Sequence, residues 1–418
     1  MYDHITRLIT DSGLWDGDGA QTHGFRTTST LVNFTPSQAA ELAALGPAIT
    51  EVMEGVSRII AIAFSDELSH GTTWGMVRKV ASMEVPSFMK PLQGQFAARM
   101  PLIVKVDLME DEGGNFHVAE LDATNRRGLG YTSLFELIRS AISPDHVPLG
   151  KPIITAVADL VKRLCGDRKA ELGYVYAHKE RFYLREFAVL KRELKGQGVE
   201  LILGSERETV VAGDVVTIGG VPCTSGLLAD FALLLEDRDL AKEFVRLYLE
   251  KKLRLLIPPR PFLGSKAMLA LLHNAEKHPQ LEAILHAHIR SEVLTRMRER
   301  IPVTRFVTRQ TERPERGVLK QVMSSGMHGV HFADSPSFDA AFLDARNRSY
   351  QYVLQDEIDC RPRSFQILDQ DGMTTEALRT RLVVYYVNKE LSGGVITAGE
   401  GKCIHGGKRA VFTSTIRA

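Results

Sequence analysis

Two apolar runs of alternating character, at 101–108 and 116–122, flank the segment Asp111-Glu112-Gly113-Gly114-Asn115. Turn residues at that density between two strand-like runs predict a hairpin, and a hairpin fixes which side chains meet. Residues two apart on a strand share a face, so Glu120 and Asp122 project together, and pairing sets Asp107 beside them. Three carboxylates on one face repel unless something neutralises them. A divalent cation does so, and magnesium favours carboxylate and phosphate oxygens. Arg126 and Arg127 follow at once, with guanidinium forks suited to phosphate or carboxylate. The plainer reading is a solvated strand face followed by a loop salt bridge; from the hairpin alone both readings stand.

The 418 residues exceed one ordinary domain, so two or three domains or subdomains are expected. With 52 basic and 51 acidic residues, no global field pulls the chain toward nucleic acid or an anionic membrane. The N-terminal stretch does not read as a signal peptide, and the apolar run at 59–64 is too short to span a bilayer. Cys165, Cys223, Cys360 and Cys403 lack metal-ligand or redox spacing. A reducing cytoplasm is the expected compartment, with the cysteines structural or incidental.

Three regions emerge along the chain. In the first, 1–165, apolar positions at 37–65 recur at helical spacing after Thr35-Pro36, with a break expected at Gly46-Pro47. In the second, 166–250, strand (172–178), helix (187–195), a Gly196-Gln197-Gly198 stop and a further strand predict a small open α/β sheet, followed by short strands near Gly213 and Gly219. The third, 251–418, reads as helices over 265–300, interrupted at His278-Pro279. Strands follow at 317–323, 350–358, 381–387 and 410–413.

Lys320 sits inside the first of those strands and is followed by Ser324-Ser325-Gly326-Met327-His328-Gly329. Glycines let backbone N–H groups approach phosphate oxygens, serines add donors, and lysine adds countercharge. That is a phosphate cradle without the order of a P-loop; taken alone, an ordinary strand-turn-strand hairpin explains it as well. In the next strand, Gln355 and Glu357 are expected on one face at its end, where an adenine edge and ribose hydroxyls would be received. Lys266 opens a helix after a proline-rich entry, a position that is also often solvent-facing.

As a set these pieces resemble the ATP-grasp superfamily, and specifically its circularly permuted branch of glutathionylspermidine synthase-like and related amide-forming ligases. The carriers of the resemblance are VDLM…GNFHVAELDATNRRGLGYTSL, IPP…GSKAMLALL, VLK…SSGMHGV and YVLQDEI, in an order that puts the carboxylate hairpin before both lysines. The implied fold class is α/β (α+β): a permuted ATP-grasp core with a small open α/β domain resembling a pre-ATP-grasp unit. The resemblance implies ATP and Mg2+ as cofactors. It implies that Asp107, Glu120 and Asp122 hold the metal and that Lys266 and Lys320 contact phosphates. The loop with Ser324, Ser325, Gly326 and Gly329 then closes over them, and Gln355, Glu357 and Ile358 belong to the adenine hinge. Two positions depart from the branch: Asp122 stands where asparagine is usual, and Lys105 where an arginine is frequent. The first keeps an oxygen ligand; the second keeps a charge without bidentate geometry.

The implied reaction is amide formation from a carboxylate and an amine through an acylphosphate, with ADP released. Positioning and charge neutralisation carry phosphoryl transfer, so little side-chain acid–base work is required. Arg126 and Arg127 are the candidates for gripping the acid or the developing acylphosphate, and the C-terminal segment with Arg381, a further catalytic candidate, and with Lys402 and His405 is expected to line the acceptor pocket. His405 reads better as a loop residue than as a base; His23 and Arg26 either reach the site or cap structure. The expected partners are small-molecule or peptide acids and amines, with no nucleic acid or membrane, and a homodimer fits. Phosphoryl transfer to another acceptor, a carrier-protein thioester, and a non-catalytic nucleotide-binding protein are the competing readings.

Overall fold

The computed structural model describes residues 1–14, 25–65, 71–83, 85–90, 93, 100–124, 127–223, 226–229, 237–324, 328–369, 372–404 and 410–417. One nine-stranded sheet gathers strands from both ends of the chain. Its spine is the strand Gly372–Val387, which pairs with Pro362–Asp369 over its first half and with Ile103–Glu110 over its second. It also pairs with Glu390–Gly399, which in turn carries Val411–Arg417. The hairpin of the first expected region is therefore hydrogen-bonded to strands of the third, and the boundaries near 165 and 250 do not separate these sheets.

The expected strand at 381–387 is the buried end of the longer strand Gly372–Val387. Its first half is polar and mostly exposed, so no alternation marks it. Pro362–Asp369 and Glu390–Gly399, both unforeseen, flank it.

The helix Pro36–Ala63 runs unbroken through Pro47. Thr35 and Gln38 form a reciprocal capping box at its start. A mid-helix proline costs about 3 kcal/mol, so packing must offset it. Gly46 supplies part of that packing: a Cβ there would lie 2.1 Å from the Lys389 carbonyl oxygen, so only glycine admits that turn. Tyr386 then donates its hydroxyl to the Leu42 carbonyl, 2.7 Å away. Against the long helix pack the helices Pro279–His288 and Ser291–Arg300, with the expected interruption before Pro279.

The middle region holds the expected open α/β unit. Leu227–Ala229, Glu171–Tyr176 and Glu200–Ser205 form a parallel three-stranded sheet, with the helix Leu184–Gly196 crossing between the last two. A separate antiparallel sheet combines Thr304–Phe306, Tyr352–Gln355, Val318–Gln321 and Val330–Phe332. Among the described residues no helix is long and apolar enough to cross a membrane.

Candidate active site

The carboxylate hairpin forms as expected, with Ile103–Glu110 paired to Phe116–Asp122. Its register sets Lys105 opposite Asp122 and Asp107 opposite Glu120, and an irregularity follows immediately after Asp107. All four side chains line a single cavity of about 910 Å³. Lys105 and Arg381 neutralise Asp107, at 3.6 and 3.3 Å. Burial pushes the Asp107 carboxyl up, but the two cations outweigh it and hold it below the usual carboxylate range. Burial likewise opposes the charge of Lys105, and Asp107 and Asp122 overcome that, raising the ammonium above its ordinary value. Asp122 accepts from the Thr124 amide and hydroxyl, each at 3.0 Å, which ends the strand in a turn.

The two lysines arrive from the other side. Lys266 stands at the start of the helix Ala267–Asn274 and is 4% exposed. Its ammonium lies 3.2 Å from Glu120 and donates to the Ser324 carbonyl at 2.9 Å. Lys320, on the strand Val318–Gln321, donates to Gln355 Oε1 at 2.6 Å and to the Ala119 carbonyl at 3.2 Å. Burial lowers its pKa to about 8, opposed by Glu120 and reinforced by Lys266. The carboxylate hairpin and both lysines thus meet at one face of the cavity.

Gln355 departs from expectation. It is the last residue of the strand Tyr352–Gln355, so Glu357 lies beyond the strand end. Its buried amide is spent at both ends, receiving Lys320 on Oε1 and donating from Nε2 to Thr304 at 3.0 Å. A buried amide must satisfy both groups, and this one orients a lysine rather than presenting an edge to adenine. Glu357 and Ile358 line the cavity, and Lys402 bridges Glu357 and Asp334 at 2.7 and 2.6 Å. Ser324 also lines the cavity, but its hydroxyl donates to the Gln321 carbonyl, while its own carbonyl receives Lys266. Gly329, at φ +68°, turns the chain back and accepts from the Gln321 amide at 2.8 Å. Arg126, Ser325, Gly326, His23 and His405 lie outside the described residues. Arg26 pairs with Glu376 at 2.6 Å.

A second group, largely missed by sequence reading, also lines the cavity. Arg127 is paired with Glu180 at 2.9 Å and lies over the Tyr183 ring. Gly128, at φ +93°, packs so tightly under Tyr385 that a Cβ would sit 2.2 Å from its hydroxyl. That hydroxyl donates to the Arg127 carbonyl at 2.8 Å. Glu186, on the helix Leu184–Gly196, accepts from the amides of Gly128 and Gly130. Cys360 and Cys403 are free thiols that also line the cavity. The shared signal is tertiary: nothing local marks Glu186 as different from the other acids of its helix.

The carboxylates suit a hard cation as oxygen donors. Asp107 Oδ1 is buried and faces the Lys105 ammonium at 3.6 Å without a closer hydrogen bond, so a cation could compete for it. Among the described residues, however, no three acidic, histidine or cysteine side chains already converge as a metal cluster, because cations hold them individually.

With this geometry established, the architecture can be set beside known structures. The glutathione synthetase-like effector GSS30 from Globodera pallida, solved in its apo form, aligns over 100% of this chain and 96% of its own. The TM-score is 0.64 at 12% identity. The fold is ATP-grasp-like. A provisionally assigned gamma-glutamylcysteine synthetase from Methylobacillus flagellatus KT aligns over 78% of this chain and 82% of its own, at 14% identity and a TM-score of 0.35, too low to carry an argument. No family model and no curated protein sequence matches the chain.

Proposed function

We propose that the chain is an ATP-dependent, ADP-forming carboxylate–amine ligase that joins a small-molecule or peptide acid to an amine through an acylphosphate. The observation that carries this is the meeting of Lys266 and Lys320 with the Asp107–Glu120–Asp122 hairpin in one cavity, within an ATP-grasp-like fold. Ammonium groups of Lys105, Lys266 and Lys320 and the three hairpin carboxylates around one space fit a triphosphate and its counter-ion better than they fit an apolar ligand. The carboxylates precede the lysines in the chain, which supports the permuted arrangement.

In this reading Lys266 and Lys320 bind phosphate oxygens, and Glu357, Ile358 and their neighbours bound the nucleoside end. Asp107, Glu120 and Asp122 would hold Mg2+, which neutralises the phosphates when bound. Arg381, beside Asp107, faces the transferred phosphoryl group, and Arg127 orients the acid. The acid's carboxylate attacks the γ-phosphorus, ADP leaves, and the amine then displaces phosphate from the acyl carbon. The effector's name contains glutathione synthetase, and a peptide-forming ligase is in keeping with it.

The test is ADP release from ATP and magnesium with the proteinogenic amino acids supplied pairwise, followed by mass analysis of the product. ADP that requires an acid, together with an amide, is the expected result. ADP independent of any acid, a phosphorylated alcohol, or no turnover with any pair contradicts the reading.

A further inference from the structure

Among the buried carboxylates that the mechanism above does not use, one faces the cavity itself. Glu186 is 2% exposed yet lines the cavity. Its Oε1 is held by the Gly128 and Gly130 amides. Its Oε2 is buried with no hydrogen-bond partner. Burying a carboxylate oxygen unpaired is costly, so such an atom calls for a partner from outside the protein, an ordered water or a ligand. The nearby cations are already engaged, Arg127 by Glu180 at 2.9 Å, and Lys105 by Asp107 at 3.6 Å. The phenols of Tyr131, Tyr183 and Tyr385 also lie in these titratable surroundings. Tyr131, which interacts with Glu186, lies 6.3 Å from Phe412 between ring centroids, and Phe412 and the paired Val383 and Val395 supply apolar lining to the same cavity.

We propose that Glu186 Oε2 receives the ammonium of the amine substrate and takes its proton, and that the surrounding walls select amines carried on apolar or aromatic skeletons. This rests on the ligase reading and assigns the second substrate's place within it. An ammonium has no lone pair and cannot attack an acylphosphate. Transfer of one N–H proton to Oε2 frees the pair, the C–N bond forms, and the C–O bond to phosphate breaks. The nitrogen's surplus proton leaves with the phosphate, and Glu186 returns its own to solvent. Burial raises the carboxyl to about 7, partly offset by the Gly128 and Gly130 amides, which suits a proton acceptor working near neutrality.

Hydroxylamine separates this role from the rest of the reaction, because it is largely uncharged at neutral pH and needs no base. Acids are first screened with ATP, magnesium and hydroxylamine; L-phenylalanine, L-leucine and glycine are then compared as amines on the best acid. In the wild type, kcat/KM with L-phenylalanine is expected to rise through about pH 7, and the rise should be absent with hydroxylamine. Glu186→Gln should lose about 100-fold more activity with L-phenylalanine than with hydroxylamine. L-phenylalanine and L-leucine should outperform glycine. Equal losses with both nucleophiles, or the same inflection with both, overturns the assignment while leaving the ligase reading intact. The wild-type profile decides this even if the variant does not fold. No acid-dependent ADP or hydroxamate in the wild type overturns both.

Discussion

The ammonium of Lys266 lies 3.2 Å from the carboxylate of Glu120, tying the start of a late helix to the early hairpin. The lysine is nearly enclosed whereas Glu120 is 30% exposed, so the two ends of the pair are not equivalent. Lys266→Ala should raise the KM for ATP by tenfold or more, about 1.4 kcal/mol of binding, while kcat falls less. Glu120→Gln should weaken magnesium dependence more than nucleotide affinity. Steady-state kinetics at varied ATP and magnesium distinguish the two.

Desolvation lowers the pKa of the part-buried Lys320 to about 8, so its charge is lost within an accessible range. The sign follows from which form binds: phosphate requires the ammonium, so ATP affinity should be full below about 8 and fall as pH rises through it. For the ligand-free protein the stability effect runs the other way. An unfolded lysine keeps its proton to about 10.4, so the unfolded chain binds more protons between the two values and stability rises with pH across that window. Lys320→Arg should abolish the inflection in ATP affinity, measured by competition with a fluorescent nucleotide.

Gln355 holds Lys320 at 2.6 Å, and its role is therefore electrostatic as well as steric. Gln355→Glu should move the Lys320 inflection to higher pH, because a carboxylate favours the charged amine. Gln355→Leu should leave the part-buried Lys320 ammonium and the Thr304 hydroxyl without this partner, costing about 1–3 kcal/mol in chemical denaturation.

Gly128→Ala combines a positive φ of +93° with a Cβ 2.2 Å from the Tyr385 hydroxyl oxygen. The conformational penalty alone is about 1–2 kcal/mol, and the overlap adds to it. A loss of about 3 kcal/mol is expected, with Tyr385→Phe recovering only the part due to the clash. Thermal denaturation of the single and double variants measures the coupling.

These relationships differ in how far they were legible in the chain. The hairpin around Asp107 and Glu120 was, because period-two alternation and a dense turn signal specify pairing locally. Lys266 and Lys320 could be named from their settings, a helix start and an apolar strand, but their meeting with Glu120 is a tertiary fact. Pro47 misled because its local penalty was visible and the compensating contact of Gly46 with Lys389 was not. The strand beginning at Gly372 hid behind polar exposed residues, and Gln355 was assigned to adenine because the partners of its amide come from two other strands. Glu186 gave no local sign at all, since its distinction lies in one unpaired oxygen inside a shared cavity.

The most direct measurement is calorimetric titration of a non-hydrolysable ATP analogue, with magnesium, into the wild type, Lys320→Ala and Asp107→Asn. The predicted result is one site in the wild type, weakened at least tenfold by Lys320→Ala, with Asp107→Asn removing the magnesium-dependent part of the affinity. Undiminished binding in the lysine variant, or a magnesium effect untouched by the aspartate change, contradicts a single triphosphate site shared by the hairpin and the lysines.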